Sequence, residues 1–196
     1  MLPGLYNPTP YVLPTLTGVL QGLMTDSNNS TVFTYSNAPL GAAPTGGDRR
    51  WVIVISSNRG GDIGVYIREL NTGTTATVVS NSGFATGQII AIYTVVRSGP
   101  DLIVGTPFER PAYPGSLKTC TLDGVAMTSI MQTSSVQLNA INGSVTDAQA
   151  GGVVLAVAAA WAQNGTWHTW TGGLTKISDV YGGDDQRQSI ATTAVT

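Results

Sequence analysis

The side chains able to do chemistry are few: one histidine, His168, one cysteine, Cys120, and two lysines, Lys118 and Lys176. A cysteine–histidine nucleophilic pair has one possible composition, Cys120 with His168, and nothing near either residue favours it. Ligand count excludes a zinc site, and no G-x-S-x-G elbow, Walker loop, H-E-x-x-H or paired C-x-x-C occurs. Oxygen donors for calcium exist at Asp184-Asp185 and Asp26-Ser27-Asn28, but neither has the spaced ligand loop such binding needs. Glycoside hydrolysis needs two opposed carboxylates. The only glutamates, Glu69 and Glu109, lack flanking aromatics to stack on a sugar, and most aspartates fall in expected turns. The expectation is therefore no enzyme, no metal and no cofactor.

Aromatic residues concentrate at Trp161, Trp167 and Trp170, with His168 among them. On a strand, Trp167 would face opposite to His168 and Trp170. These indoles either stack on sugar rings or plug a core or a subunit interface, where tryptophan is favoured. Cys120 alternates with Leu122 and reads as a buried, inert thiol.

The elements that must position these residues belong to a chain of 196 residues, enough for one domain with an appended arm. Only 10% of residues are charged, against about 25% in ordinary soluble domains. Polarity rests on Thr, Ser, Asn and Gly, which lose little on being covered by another protein. With net charge −2 and a pI of about 5.1, no positive field exists to neutralise phosphates, and nucleic acid is not expected as a direct partner. Mean hydropathy is +0.13, yet the most apolar run, 153–162, is too short for a helical membrane span of about 20 residues. The N-terminus lacks the basic and helical character of a targeting segment.

Residues 1–30 read as an extended apolar arm. Pro3, Pro8, Pro10 and Pro14 exclude a helix and deny a central strand its ladder bonds. Leu2, Leu5, Tyr6, Tyr11, Val12, Leu13 and Leu16 then need a groove, on their own domain or on a neighbouring subunit. Residues 31–196 read as a second unit of short strands separated by turns. Trp51-Val52-Ile53-Val54-Ile55 has the unbroken β-branched character of a strand covered on both faces. Further strands are expected at 31–35, 65–70, 76–80, 89–96, 102–104, 117–122, 126–131, 136–141 and 189–195, and strand is preferred to helix at 153–162. The fold expected is all-β: an antiparallel, jelly-roll-like β-sandwich with an extended proline-rich N-terminal arm.

From about Thr31 onward the sequence resembles a β-rich domain common in structural genes of tailed bacteriophages and prophages. The resemblance is carried by Thr31-Val32-Phe33-Thr34-Tyr35, Leu40-Gly41 and Gly47-Asp48-Arg49-Arg50-Trp51-Val52-Ile53-Val54. They are similar to a T-x-x-T-F/Y, L/I-G, D-R-R-h-h-V-h-V opening. Ile90-Ala91-Ile92-Tyr93, Ser98-Gly99-Pro100 and the stretch from Gly151-Gly152 to Trp170-Thr171-Gly172 are similar to the remainder; the first thirty residues have no counterpart. One guanidinium of the Arg49-Arg50 pair is positioned to engage Asp48 or a neighbour's carboxylate and lock a loop, the alternative being a solvent-facing pair.

The resemblance implies a virion component, assembled in the bacterial host cytoplasm, with no active site to carry across. Expected partners are other capsid or tail subunits, and further copies of the chain. Decoration or cementing of the head is the favoured role, and a glycan-binding tail-fibre or spike module is the alternative.

Overall fold

The computed structural model describes residues 16–26, 31–58, 63–81, 88–97, 104–105, 119–133, 153–161, 168–181 and 186–194. These residues hold thirteen strands and no helix. In chain order they are β1 Leu16–Asp26, β2 Val32–Pro39, β3 Arg49–Asn58, β4 Ile63–Glu69, β5 Thr75–Asn81, β6 Gln88–Arg97, β7 Val104–Gly105, β8 Thr119–Leu122, β9 Val125–Ala126, β10 Thr128–Thr133, β11 Val153–Trp161, β12 Thr175–Tyr181 and β13 Gln186–Ala194. They form three sheets, β1-β6-β3-β4-β10, β2-β5-β8-β9 and β12-β13-β11-β7. Every pairing is antiparallel except the short β7–β11 contact.

The fold is thus an all-β antiparallel sandwich, and it has three layers. Alternate residues of the five-stranded sheet feed two separate cores, as a period of two requires. Val52, Val54, Tyr66, Ile90 and Ile92 pack with Phe33, Val78, Cys120 and Leu122 of the β2-β5-β8-β9 sheet. Ile53, Ile55, Val65, Ala91 and Tyr93 pack on the other side with Leu155 and Ile190. This accounts for the unbroken apolar run at 51–55: Val52 through Ile55 are all fully buried because β3 is central and both its faces are covered. Each such side chain contributes about 1.5–3 kcal/mol by leaving water.

Consecutive serines at the end of β3 extend the alternation to polar contacts. Ser56 Oγ and Ser80 Oγ share a hydrogen bond of 2.8 Å across one interlayer. Across the other, Gln188 Nε2 donates to Ser57 Oγ at 2.8 Å and to the Ile89 carbonyl at 3.4 Å. One residue of offset sends the two hydroxyls to opposite layers.

Two strands were not expected. Leu16–Asp26, placed by the sequence reading in the arm, is the edge strand β1, paired with β6 from Leu16↔Arg97 to Asp26↔Gln88. The sheet unit therefore includes Leu16–Asp26 and does not start at Thr31. The physical reason is the position of the prolines: the four of the first thirty residues all precede Leu16, so nothing between Leu16 and Asp26 withholds a backbone donor. Leu20 and Leu23 join the core shared with Leu155 and Ile190, whereas Met24 joins the opposite one. The register shift between Leu20 and Gly22 makes the change of face possible. Gly18 is needed in this strand because the Tyr93 hydroxyl lies where a Cβ would stand. The second unexpected strand is β12, whose lysine and aspartate break any apolar pattern.

Val153–Trp161 is a strand, paired along its length with β13. Asp123-Gly124 makes the two-residue turn of the β8–β9 hairpin, both residues having positive φ (50° and 74°) as a type I′ turn demands. The strand expected at 136–141 lies outside the described residues, as does the arm at 1–15.

Candidate functional site

Arg49 and Arg50 open β3 and, by strand alternation, diverge. Arg49 forms a two-pronged contact with Glu69, the last residue of β4. Its Nε donates to Oε1 at 2.8 Å and its Nη2 to Oε2, and its guanidinium lies 5.1 Å from the Trp51 ring centroid. These bonds, with one from Asn71 Nδ2, hold the Glu69 carboxyl well below its ordinary value, at about 2. The expected partner Asp48 is thus replaced by Glu69, because register places Glu69 opposite Trp51 and within reach of Arg49.

Arg50 is fully buried and has no carboxylate partner among the described residues. Its guanidinium donates to the carbonyls of Leu70 (2.8 Å), Thr72 (2.6 Å), Gly73 (2.9 Å), Ala42 (3.1 Å), Gly41 (3.2 Å) and Leu40 (3.4 Å). Its backbone N–H donates to Asn71 Oδ1 at 2.7 Å. The rigid fork of donors clamps the segment after β2 to the β4–β5 connection. The loop lock expected of this pair is present, with peptide carbonyls as its acceptors.

The densest group of ionisable side chains lies on the outward side of β12 and β13. Asp179 is nearly buried and stands among two cations and an imidazole: Lys176 Nζ at 3.2 Å from Oδ2, and Arg187 Nε at 4.0 Å and His168 Nδ1 at 3.9 Å from Oδ1. Lys176 and Asp179 are three apart and would ordinarily face opposite ways. The register shift between Lys176 and Ser178 brings them to one side. Asp179 pairs with Ser189, which makes Arg187 its diagonal neighbour on that face. Tyr181 sits opposite Arg187, whose guanidinium is 5.9 Å from its ring centroid.

The segment 168–170 lies over this face. Trp170 Nε1 donates to Ser189 Oγ at 2.8 Å, Ser189 Oγ donates to the Ser178 carbonyl at 3.2 Å, and Lys176 Nζ donates to the His168 carbonyl at 3.4 Å. Burial pushes the His168 imidazole below its ordinary value, outweighing the attraction of Asp179. A histidine stands beside a buried aspartate, but at 3.9 Å the two are not hydrogen-bonded as the base and its orienting carboxylate are in a triad. The nearby hydroxyl of Ser189 is committed to Trp170 and to Ser178, so it is not poised as a nucleophile.

Of the aromatic candidates, only Trp170 has a described side chain. Trp161 closes β11 and Trp167 lies outside the described residues. Residues 168–171 form irregular backbone before the Gly172-Gly173 turn, so the strand alternation expected through Trp170 does not hold there. Leu16 opens β1, while Leu2, Leu5, Tyr6, Tyr11, Val12 and Leu13 lie outside the described residues, as do Asp184 and Asp185. Cys120 is buried beside Met127, their sulfurs 3.7 Å apart, and burial pushes its thiol up to about 12, which leaves it protonated and inert. No group of three or more histidine, cysteine or carboxylate side chains placed to hold a metal occurs among the described residues. No helix long and apolar enough to cross a membrane occurs among the described residues.

Sequence reasoning missed the partnership of His168 with Asp179 and Arg187. Those residues meet only through the β12–β13 register, and the signal available was weak: a lysine and an aspartate three apart in an otherwise β-prone segment. No protein-family model, curated protein or solved structure matches the chain.

Proposed function

We propose that this chain is a non-enzymatic structural component of a tailed-bacteriophage virion, a capsid decoration, cement or minor head protein that works through contacts with neighbouring subunits. One observation carries the reading: among the described residues, several charged groups are engaged with other parts of the same fold, and one whole sheet face carries no ionisable group. Arg50 is buried on carbonyls, Arg49 is paired with Glu69, and Asp179 is paired with Lys176. The outward face of the β2-β5-β8-β9 sheet carries Val32, Thr34, Val79, Asn81, Thr119 and Thr121, with no ionisable residue on those rungs. Such a face sheds water at little cost when another subunit covers it. The proline-stiffened residues 1–15, rich in Leu and Tyr, supply a second contact.

The test is removal of residues 1–15 only, since the next residue opens β1. Co-sedimentation with purified particles lacking the native protein should fall about tenfold or more, as expected when one of two linked contacts is lost, with the thermal midpoint unchanged. Undiminished attachment would remove the arm from the proposal.

A glycan-binding tail-fibre or spike module is the second reading, favoured by Trp170 and the exposed Tyr181 beside Asp179 and Lys176. Quenching of tryptophan fluorescence by host-surface polysaccharide, lost on Trp170→Ala, would support it.

A further inference from the structure

Residues 168–171 are irregular backbone and lie over the outward side of β12 and β13 as a strap. Two bonds hold it there: Trp170 Nε1 to Ser189 Oγ at 2.8 Å, and Lys176 Nζ to the His168 carbonyl at 3.4 Å. Its imidazole is largely withdrawn from water, with 23% of the His168 side chain exposed, and the side chains beside it, Asp179 and Arg187, are 5% and 4% exposed. Among the described residues the charged groups around the imidazole are Lys176 and Asp179 of β12 and Arg187 of β13, with the Tyr181 ring beyond the Arg187 guanidinium. The Asp179 carboxylate is already shared between them. Lys176 Nζ lies 3.2 Å from Oδ2, while Oδ1 stands 3.9 Å from His168 Nδ1 and 4.0 Å from Arg187 Nε. The 3.9 Å gap is too long for a hydrogen bond, and His168 Nδ1 is buried without one.

We infer that His168 makes this strap acid-released: the neutral imidazole closes over β12 and β13, and protonation of the ring opens the strap. The reason is where the added charge would have to sit. In the closed strap it is a cation out of water, beside one carboxylate that Lys176 and Arg187 already offset. At Nδ1 its proton meets no acceptor within hydrogen-bond distance, whereas in the open strap water solvates it. Burial accordingly holds the closed imidazole below its ordinary 6.5, against the pull of Asp179 and with the help of Arg187 and Lys176. Because the closed value lies below the open one, closure is fully favoured above pH 6.5 and weakens as pH falls below it. Opening releases Ser189 Oγ from Trp170 and the Lys176 ammonium from the His168 carbonyl.

The strap is read by nuclear magnetic resonance on the purified full chain, so its failure is separate from a failure of particle attachment. His168 is the only histidine, and its ring signals therefore need no assignment; Trp170→Phe identifies the Trp170 indole N–H among the four tryptophans. On the unmutated chain the imidazole should titrate with a midpoint below 6.5. Over the same range, from about pH 7.5 to about pH 5, protection of the Trp170 indole N–H, corrected for its intrinsic exchange rate, should fall about threefold or more. His168→Gln keeps a neutral polar side chain and should abolish that fall. A midpoint at or above 6.5, as a protonated ring drawn onto Asp179 would give, or indole protection indifferent to pH, overturns the inference. An undiminished fall in a folded His168→Gln chain does the same.

Discussion

At the scale of single residues, Arg50 is the side chain on which most depends. A guanidinium without a carboxylate is tolerated in the interior because its donors meet carbonyls at fixed positions, each carrying part of the negative charge it needs. Removing it strands those carbonyls. Arg50→Met should lower stability by about 3–5 kcal/mol, the scale of breaking a buried charged network. Arg50→Lys should fall closer to Met than to the parent, since an ammonium cannot reach two loops with one planar fork. Urea denaturation midpoints at constant slope measure both. The sequence pointed to the Arg49-Arg50 pair as a loop lock but not to its acceptors, because peptide carbonyls carry no sequence signature. Cys120 was legible to the end: alternation with Leu122 placed it inward, and inward it is.

Between elements, the Arg49–Glu69 contact ties the start of β3 to the end of β4, and pH reports on it. The folded-state value of Glu69, about 2, lies below the ordinary 4.5, so the carboxylate favours the folded state fully above pH 4.5. That contribution is lost as pH falls from 4.5 towards 2. The pair is partly exposed and screened by water, so its worth is about 0.5–1 kcal/mol. The difference in thermal midpoint between the parent and Glu69→Gln should therefore be present at pH 6, shrink through pH 4.5 to 2, and diminish in high salt. Strands bounded by clear turn chemistry, such as β8 with Asp123-Gly124 after it, were readable from sequence. β1 was not, because its neighbouring prolines coloured the reading of residues that contain none. β12 was missed for another reason: an edge strand with Lys176 and Asp179 shows no clear alternation, and its one residue packed on the core, Ile177, stands at the register shift that its pairing with β13 requires.

Over the whole molecule, one central sheet serves two cores, and the layers should not unfold independently. Ile92→Ala, in the core shared with β5 and β8, and Ile53→Ala, in the core shared with β11 and β13, should each cost about 2–5 kcal/mol. In each variant, tryptophan fluorescence and far-ultraviolet circular dichroism should trace one coincident transition. Two separated transitions would mean that a layer stands alone. The sequence by itself determined the all-β class, the Asp123-Gly124 turn, and the double burial of Val52 through Ile55, since these follow from local sterics and from alternation within a few residues. The tertiary structure alone decided that the layers number three, that β1 belongs to the sheet, that Glu69 and not Asp48 receives Arg49, and that His168, Asp179 and Arg187 meet. Those facts depend on which strand lies beside which and in what register, and register is set by the summed packing of residues far apart in the chain.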